Sequence, residues 1–294
     1  MKKGGVLFEM ENKKIMLTKE NGQKLFVDIY EVNKSYPNVL TTQFNINIDD
    51  YPQYYKPFAE LGFNIFAVQL TGSGKSGGKR NHLTPEIAYD DIKTVIDYIV
   101  KNYNDAIHMY GVNGNGGIYG QYAVSIDDRI RSCALYGVGL HKDLSYIPNH
   151  KQLYVIYPII KMLAKFFPGL KVNSKKQANL DILEFPNVEK EKELYKNIEE
   201  KYIDFWNIPL IWYSSFIGLF LEDDSKLKNK PKCPILMFVP EYDRFFSQEY
   251  LNKVYEWFDE PKKKVDLEGA CHSFWALNSE EVCKIAAEWF EENP

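Results

Sequence analysis

Cysteine is scarce in this chain, and the four present, Cys133, Cys233, Cys271 and Cys283, show no C-x-x-C spacing. That excludes a zinc-finger pattern or a disulfide framework. It fits a reducing compartment, so a cytoplasmic location is expected. No basic excess exists: the formal net charge is −4, which leaves no field to draw in nucleic acid. The opening Met1-Lys2-Lys3-Gly4-Gly5 is basic but lacks the apolar run of a signal peptide. Long hydrophobic runs are missing as well. The nearest, residues 154–170, is broken by Pro158, Lys161, Lys165 and Pro168, so no stable membrane span is expected. Repeats and low-complexity segments are absent from the sequence.

What is present describes a globular chain. Its 294 residues can bury a large core and still carry an inserted subdomain. Apolar residues at 45% and charged residues at 26% are ordinary values. Aromatics at 15% are high, which suits a greasy groove as well as a core.

Ile15-Met16-Leu17 and Leu25-Phe26-Val27 flank Asn21-Gly22, the signal of a hairpin with a type I′ turn. Further strands are expected at 39–42, 64–68, 107–110, 133–136, 234–239 and 264–267. Helices are expected over 54–61, from Thr84-Pro85 onward, from the glycine-rich 111–120 to about 126, over 248–258 and at the C-terminus. In that last helix Val282, Ile285, Ala286, Trp289 and Phe290 share a face, and Ser279 is the expected cap. Strands alternating with helices imply a mostly parallel sheet covered on both faces. The alternation stops over 141–230, where apolar aromatic segments flank a charged run near 189–201. This predicts a helical cap inserted between core segments 1–140 and 231–294.

Four ordered patterns resemble the α/β-hydrolase superfamily. The first is 69–78, QLTGSGKSGG, similar to the family's D-x-x-G-x-G-x-S-x-G turn but with Gln69 for the Asp. The second is 110–117, YGVNGNGG, in the place of the nucleophile elbow G-x-S-x-G-G. The third is 239–246, VPEYDRFF, where the triad acid is presented. The fourth is 268–274, EGACHSF, where the histidine is presented. The order nucleophile, acid, histidine is the one that fold uses. The resemblance is closest to the monoacylglycerol lipase and lysophospholipase (serine-aminopeptidase-like) branch, whose apolar lid the 141–230 segment resembles. It implies Asp243 and His272 as an acid–base pair.

At the elbow the resemblance breaks down. Asn113 stands in the nucleophile position; one step on is Gly114, two steps on Asn115, and no register of 111–117 supplies Ser, Cys or Asp. A carboxamide is not a nucleophile at neutral pH. The stretch where the family has His-Gly reads Thr42-Gln43-Phe44-Asn45, so an oxyanion hole would rest on N–H groups near Phe44 and Gly114, with Asn45 or Gln43 adding a side-chain donor. Gly72-Ser73-Gly74-Lys75-Ser76 mimics the end of a P-loop, but the first glycine of that motif is replaced by Gln69 and loop residues follow. His82, His108, His141 and His150 have no comparable context.

Three readings follow. One is a carboxylic-ester hydrolase, or an active-site variant of one, taking a small apolar or acyl-containing molecule under the lid. Of the lid aromatics Tyr154, Tyr157, Phe166, Phe167, Phe205, Trp206, Trp212, Tyr213, Phe216 and Phe220, most should bury and some should line the pocket. The second is a non-catalytic binder on the same scaffold. The third uses Asp243–His272 as a base without a covalent step, as in lyases or cyclases. No metal cluster, redox motif or nucleotide fingerprint is recognised, so no cofactor is implied.

Overall fold

A computed structural model describes residues 9–112, 115–147, 150–175 and 188–294. Strands β1 (Glu11–Thr18) and β2 (Lys24–Glu31) form the expected antiparallel hairpin, with Ile15 opposite Val27 and Leu17 opposite Leu25. Its connection is longer than a two-residue turn: the Lys19 N–H reaches the Gln23 carbonyl across 2.9 Å, and Gly22 takes φ +81°. Lys19 leaves the ladder because its ammonium turns inward to the buried Asp91, 2.5 Å away.

Strand β3 (Asn38–Gln43) is followed not by one helix over 54–61 but by a 3-10 turn at Pro52–Tyr54 and a short helix α1 (Pro57–Glu60). Pro57 has no N–H to give to the Gln53 carbonyl, so the hydrogen-bond ladder of one continuous helix is interrupted there and the segment splits. Next come β4 (Asn64–Gln69) and α2 (Pro85–Asn102), where the Thr84 hydroxyl accepts from the Ile87 N–H at 3.4 Å, as an N-cap should. They lead to β5 (Ile107–Gly111), α3 (Asn115–Val124) and β6 (Ile130–Tyr136).

Between β6 and the next core strand lie α4 (His150–Phe166), β7 (Lys171–Asn173), α5 (Val188–Lys201), β8 (Asn207–Pro209) and α6 (Leu210–Leu221). The segment is therefore not purely helical, because β7 and β8 pair antiparallel. The chain then returns through β9 (Ile235–Tyr242), α7 (Gln248–Trp257), β10 (Lys262–Cys271), α8 (Phe274–Leu277) and α9 (Ser279–Glu292). The cap of α9 is Asn278 rather than Ser279, since α8 runs almost directly into it and Asn278 closes that turn on the Phe274 carbonyl at 2.8 Å.

The central sheet has eight strands in the order β1-β2-β4-β3-β5-β6-β9-β10. Strands β4, β3, β5, β6, β9 and β10 run parallel, and β2 joins β4 antiparallel. Successive residues point to opposite faces. Leu40, Val68, Met109, Leu135 and Met237 enter one apolar cluster with α2, α3 and α7. Their neighbours Val39, Ala67, Tyr110, Ala134 and Phe238 enter the other, with α1 and α9. Burial on both faces explains why these strands read as continuous apolar runs.

His108 is part of this core. It bonds Ser132 Oγ through Nδ1 at 2.8 Å and stacks on Phe290. Burial pushes its pKa down from 6.5 to about 4. The folded state then binds this proton more weakly than the unfolded chain, so stability is whole above about pH 6.5 and falls as pH drops towards 4. Denaturant unfolding at pH 7 and pH 4.5 should show a loss of about 2–3 kcal/mol in the parent that His108→Gln does not show.

Candidate active site

Parallel pairing sends the residues after β3, β5, β9 and β10 to one edge of the sheet, where open α/β sheets place their sites. Asp243 follows β9 and His272 follows β10, and Tyr242 pairs with Cys271 just before them. His272 Nδ1 lies 2.9 Å from Asp243 Oδ2 and 3.0 Å from Oδ1. An ionised carboxylate only accepts, so Nδ1 carries the hydrogen and Nε2 is left free to take a proton. Asp243 Oδ1 also accepts the N–H groups of Phe245 at 2.8 Å and Phe246 at 3.0 Å, which fixes the carboxylate. Both side chains are almost sealed from solvent, at 1% exposure for Asp243 and 6% for His272. The Phe245 ring meets the imidazole edge-on, with centroids 4.5 Å apart.

Several residues that support this pair carried no signal in the sequence. Tyr136 donates to the Cys271 carbonyl at 2.7 Å, which anchors the strand end before His272. The neighbouring Cys271 is no substitute nucleophile: burial pushes its thiol up to about 12, so it stays protonated at neutral pH. Arg244 and Glu191 form an ion pair and are 2% and 1% exposed. The guanidinium sits 4.7 Å over the Tyr195 ring and 4.8 Å over Phe245. Glu191 Oε1 accepts the Ser273 N–H at 3.0 Å, and Ser273 Oγ donates to Tyr195 OH at 3.2 Å. Helix α5 thus grips the residues following both Asp243 and His272. In the sequence Glu191 reads as one more member of a solvated charged run.

Asn113 and Gly114 lie outside the described residues. On either side, the strand–turn–helix depends on close backbone approach. A side chain at Gly117 would place its Cβ 2.1 Å from the Tyr136 carbonyl oxygen and 2.2 Å from that of Gly137, whereas one at Gly116 would meet nothing closer than 3.6 Å. Gly117→Ala should therefore cost roughly 3 kcal/mol or more, while Gly116→Ala should unfold close to the parent in urea.

On the β3 side, the Phe44 ring stacks with Trp212 at 6.1 Å. Asn45 takes φ +73°; its N–H donates to Ser73 Oγ at 2.6 Å and its carboxamide nitrogen to the Phe205 carbonyl at 2.5 Å, so both nitrogens are already engaged. Gln69 holds this loop in place. Its amide nitrogen donates to Ile46 O at 2.7 Å and Ser73 Oγ at 2.9 Å, and its oxygen accepts the Ile48 N–H at 2.7 Å. A carboxylate has no hydrogen for those two acceptors, which accounts for glutamine at this position. The P-loop mimic is not followed by a helix until Pro85, and Ser76 Oγ accepts the Phe26 N–H at 2.8 Å.

Of the lid aromatics, Tyr157, Trp212 and Phe220 are buried, Phe205, Trp206, Tyr213 and Phe216 half-buried, and Tyr154, Phe166 and Phe167 exposed. Among the described residues no group of His, Cys, Asp and Glu could hold a metal ion, and no helix is long and apolar enough to cross a membrane.

No curated protein matches the chain. Solved structures do, at low identity. A hypothetical protein from Pseudomonas aeruginosa is 18% identical, with 97% of this chain and 94% of that one covered and a TM-score of 0.71. The alpha/beta hydrolase GrgF from Penicillium sp. sh18 is 16% identical, with 96% and 99% covered and a TM-score of 0.71. A monoacylglycerol lipase from Paleococcus ferrophilus is 19% identical, with 97% and 100% covered and a TM-score of 0.60. These likenesses establish the fold. Residues 43–276 match the family described as serine aminopeptidase, S33 (Hydrolase_4), and with more than half of the chain matched, the protein belongs to that family of α/β-hydrolases.

Proposed function

We propose that this protein hydrolyses carboxylic esters of small apolar or acyl-containing molecules without forming an acyl-enzyme. The observation that carries this reading is the buried Asp243–His272 pair, complete and fixed, in a chain whose elbow sequence encodes no nucleophile. In this mechanism His272 Nε2 takes a proton from water while the water oxygen bonds to the ester carbonyl carbon. Asp243 holds the imidazolium that forms. The tetrahedral intermediate collapses as the C–O bond to the alcohol breaks, and the imidazolium returns its proton to the departing alkoxide. The products are a carboxylic acid and an alcohol.

Residues 141–230 act as a cap over core segments 1–140 and 231–294. Support for an apolar substrate comes from the aromatic stack in which Phe44, just after β3, lies on Trp212 of α6 and Trp212 on Phe216. Asn113 supplies a hydrogen bond to the substrate; Phe44 and Gly114 offer backbone N–H groups to the developing oxyanion, and Asn45 shapes the loop that carries Phe44.

The test uses a nitrophenyl ester. Turnover should show no burst and should survive a serine-directed fluorophosphonate. Asn113→Ser should acquire both a burst and sensitivity to that inhibitor. A burst or fluorophosphonate inactivation in the parent would refute the reading, as would saturable binding of the ester with no turnover.

A further inference from the structure

Helix α4 presents two apolar faces but only one packs inside the protein. Leu153, Tyr157, Ile160 and Ala164, spaced four, three and four residues apart, form the inner stripe, and α4 packs on α6. The same spacing repeats on the opposite face at Val155, Ile159, Met162 and Phe166, which are 75%, 54%, 54% and 67% exposed. Phe167 and Leu170 continue this outer surface beyond the helix end. Lys151, Lys161 and Lys165 occupy one flank between the two stripes, as 3.6 residues per turn requires. A contiguous apolar surface of this kind, bordered by charge, marks a docking face.

Charge decides what docks there. Between Asp143 and Asp181 the chain has six lysines and no acidic residue, although its net charge is −4. A second copy packed through α4 would set lysine against lysine, with no carboxylate on the helix to answer it. An apolar stripe of Val, Ile, Met and Phe flanked by lysines is instead the pattern of a helix lying in a membrane interface. We propose that this face docks on an anionic phospholipid bilayer, with Val155, Ile159, Met162 and Phe166 sunk below the headgroups and Lys151 and Lys165 against the phosphates. Lys161, Lys171 and Lys175 are left aside because they are paired to Glu222 at 2.7 Å, Asp204 at 2.9 Å and Glu199 at 2.7 Å. The proposal does not depend on the reaction assigned to the site.

Vesicle flotation of the full chain tests it. Phosphatidylcholine vesicles containing roughly one-third phosphatidylglycerol should carry the protein upward, and raised salt should release it. Pure phosphatidylcholine vesicles should carry at least about tenfold less. Lys151→Gln with Lys165→Gln should weaken binding about 30-fold. Ile159→Glu with Phe166→Glu should weaken it on the order of 100-fold. Both double variants should keep the parent Tm and circular dichroism, since the altered side chains are solvent-facing. The proposal is overturned by a failure to float on anionic vesicles, or by equal flotation of the parent and the Ile159/Phe166 variant. It is also overturned if sedimentation shows a dimer that this variant abolishes.

Discussion

His272→Ala is expected to lower kcat for a nitrophenyl ester by about 10³- to 10⁴-fold, the full contribution of a positioned general base. The imidazole is the only group described at this edge whose geometry prepares it for proton transfer. Its Nδ1 hydrogen is directed to a carboxylate itself held by two N–H groups, so tautomer and ring orientation are both set. KM should move little, because the imidazole acts on water rather than holding the substrate. Asp243→Asn should also be severely impaired, since a carboxamide that donates to Nδ1 would favour the wrong tautomer. Steady-state kinetics with folding checked by circular dichroism make the test. Activity of His272→Ala within about tenfold of the parent would exclude a base role.

Glu191→Ala should destabilise the fold by about 3–5 kcal/mol, because it leaves the Arg244 guanidinium charged, buried and unpaired. Urea unfolding followed by tryptophan fluorescence measures this. The double variant Glu191→Met with Arg244→Met removes both charges and should regain most of the lost stability. Its activity should nevertheless stay low. Ser273 would lose its acceptor beside His272, and the loop carrying Asp243 would lose its tie to α5. Recovered stability with depressed kcat separates positioning of the pair from simple support of the fold. If the double variant regains both, Glu191 and Arg244 do no more than hold the fold together.

The two kinds of residue differ in how legible they were. Asp243 and His272 each sit at a strand end within a local pattern, and the parallel register alone brings them together. The strands could be read because burial on both faces leaves uninterrupted apolar runs such as 64–68. Glu191 could not be read, because an acidic residue in a lysine- and glutamate-rich helix looks solvated until its distant partner Arg244 is placed against it. Gln69 looked like a decayed signature residue; the structure shows it bonding in both directions, which no carboxylate could do. The single helix expected over 54–61 failed for a local reason, the missing N–H of Pro57. Phe166 and Phe167 group with the lid aromatics by composition, but helical phase sets Phe166 outward and Phe167 lies exposed just beyond the helix end.

The central claim is that Asp243 and His272 drive ester hydrolysis with no covalent intermediate. Its most direct test is intact-protein mass spectrometry of acid-quenched enzyme sampled during turnover, with product measured in the same samples. The account predicts steady product release while the protein keeps its encoded mass. A protein heavier by the acyl group, with the added mass on the elbow peptide containing Asn113, would contradict it.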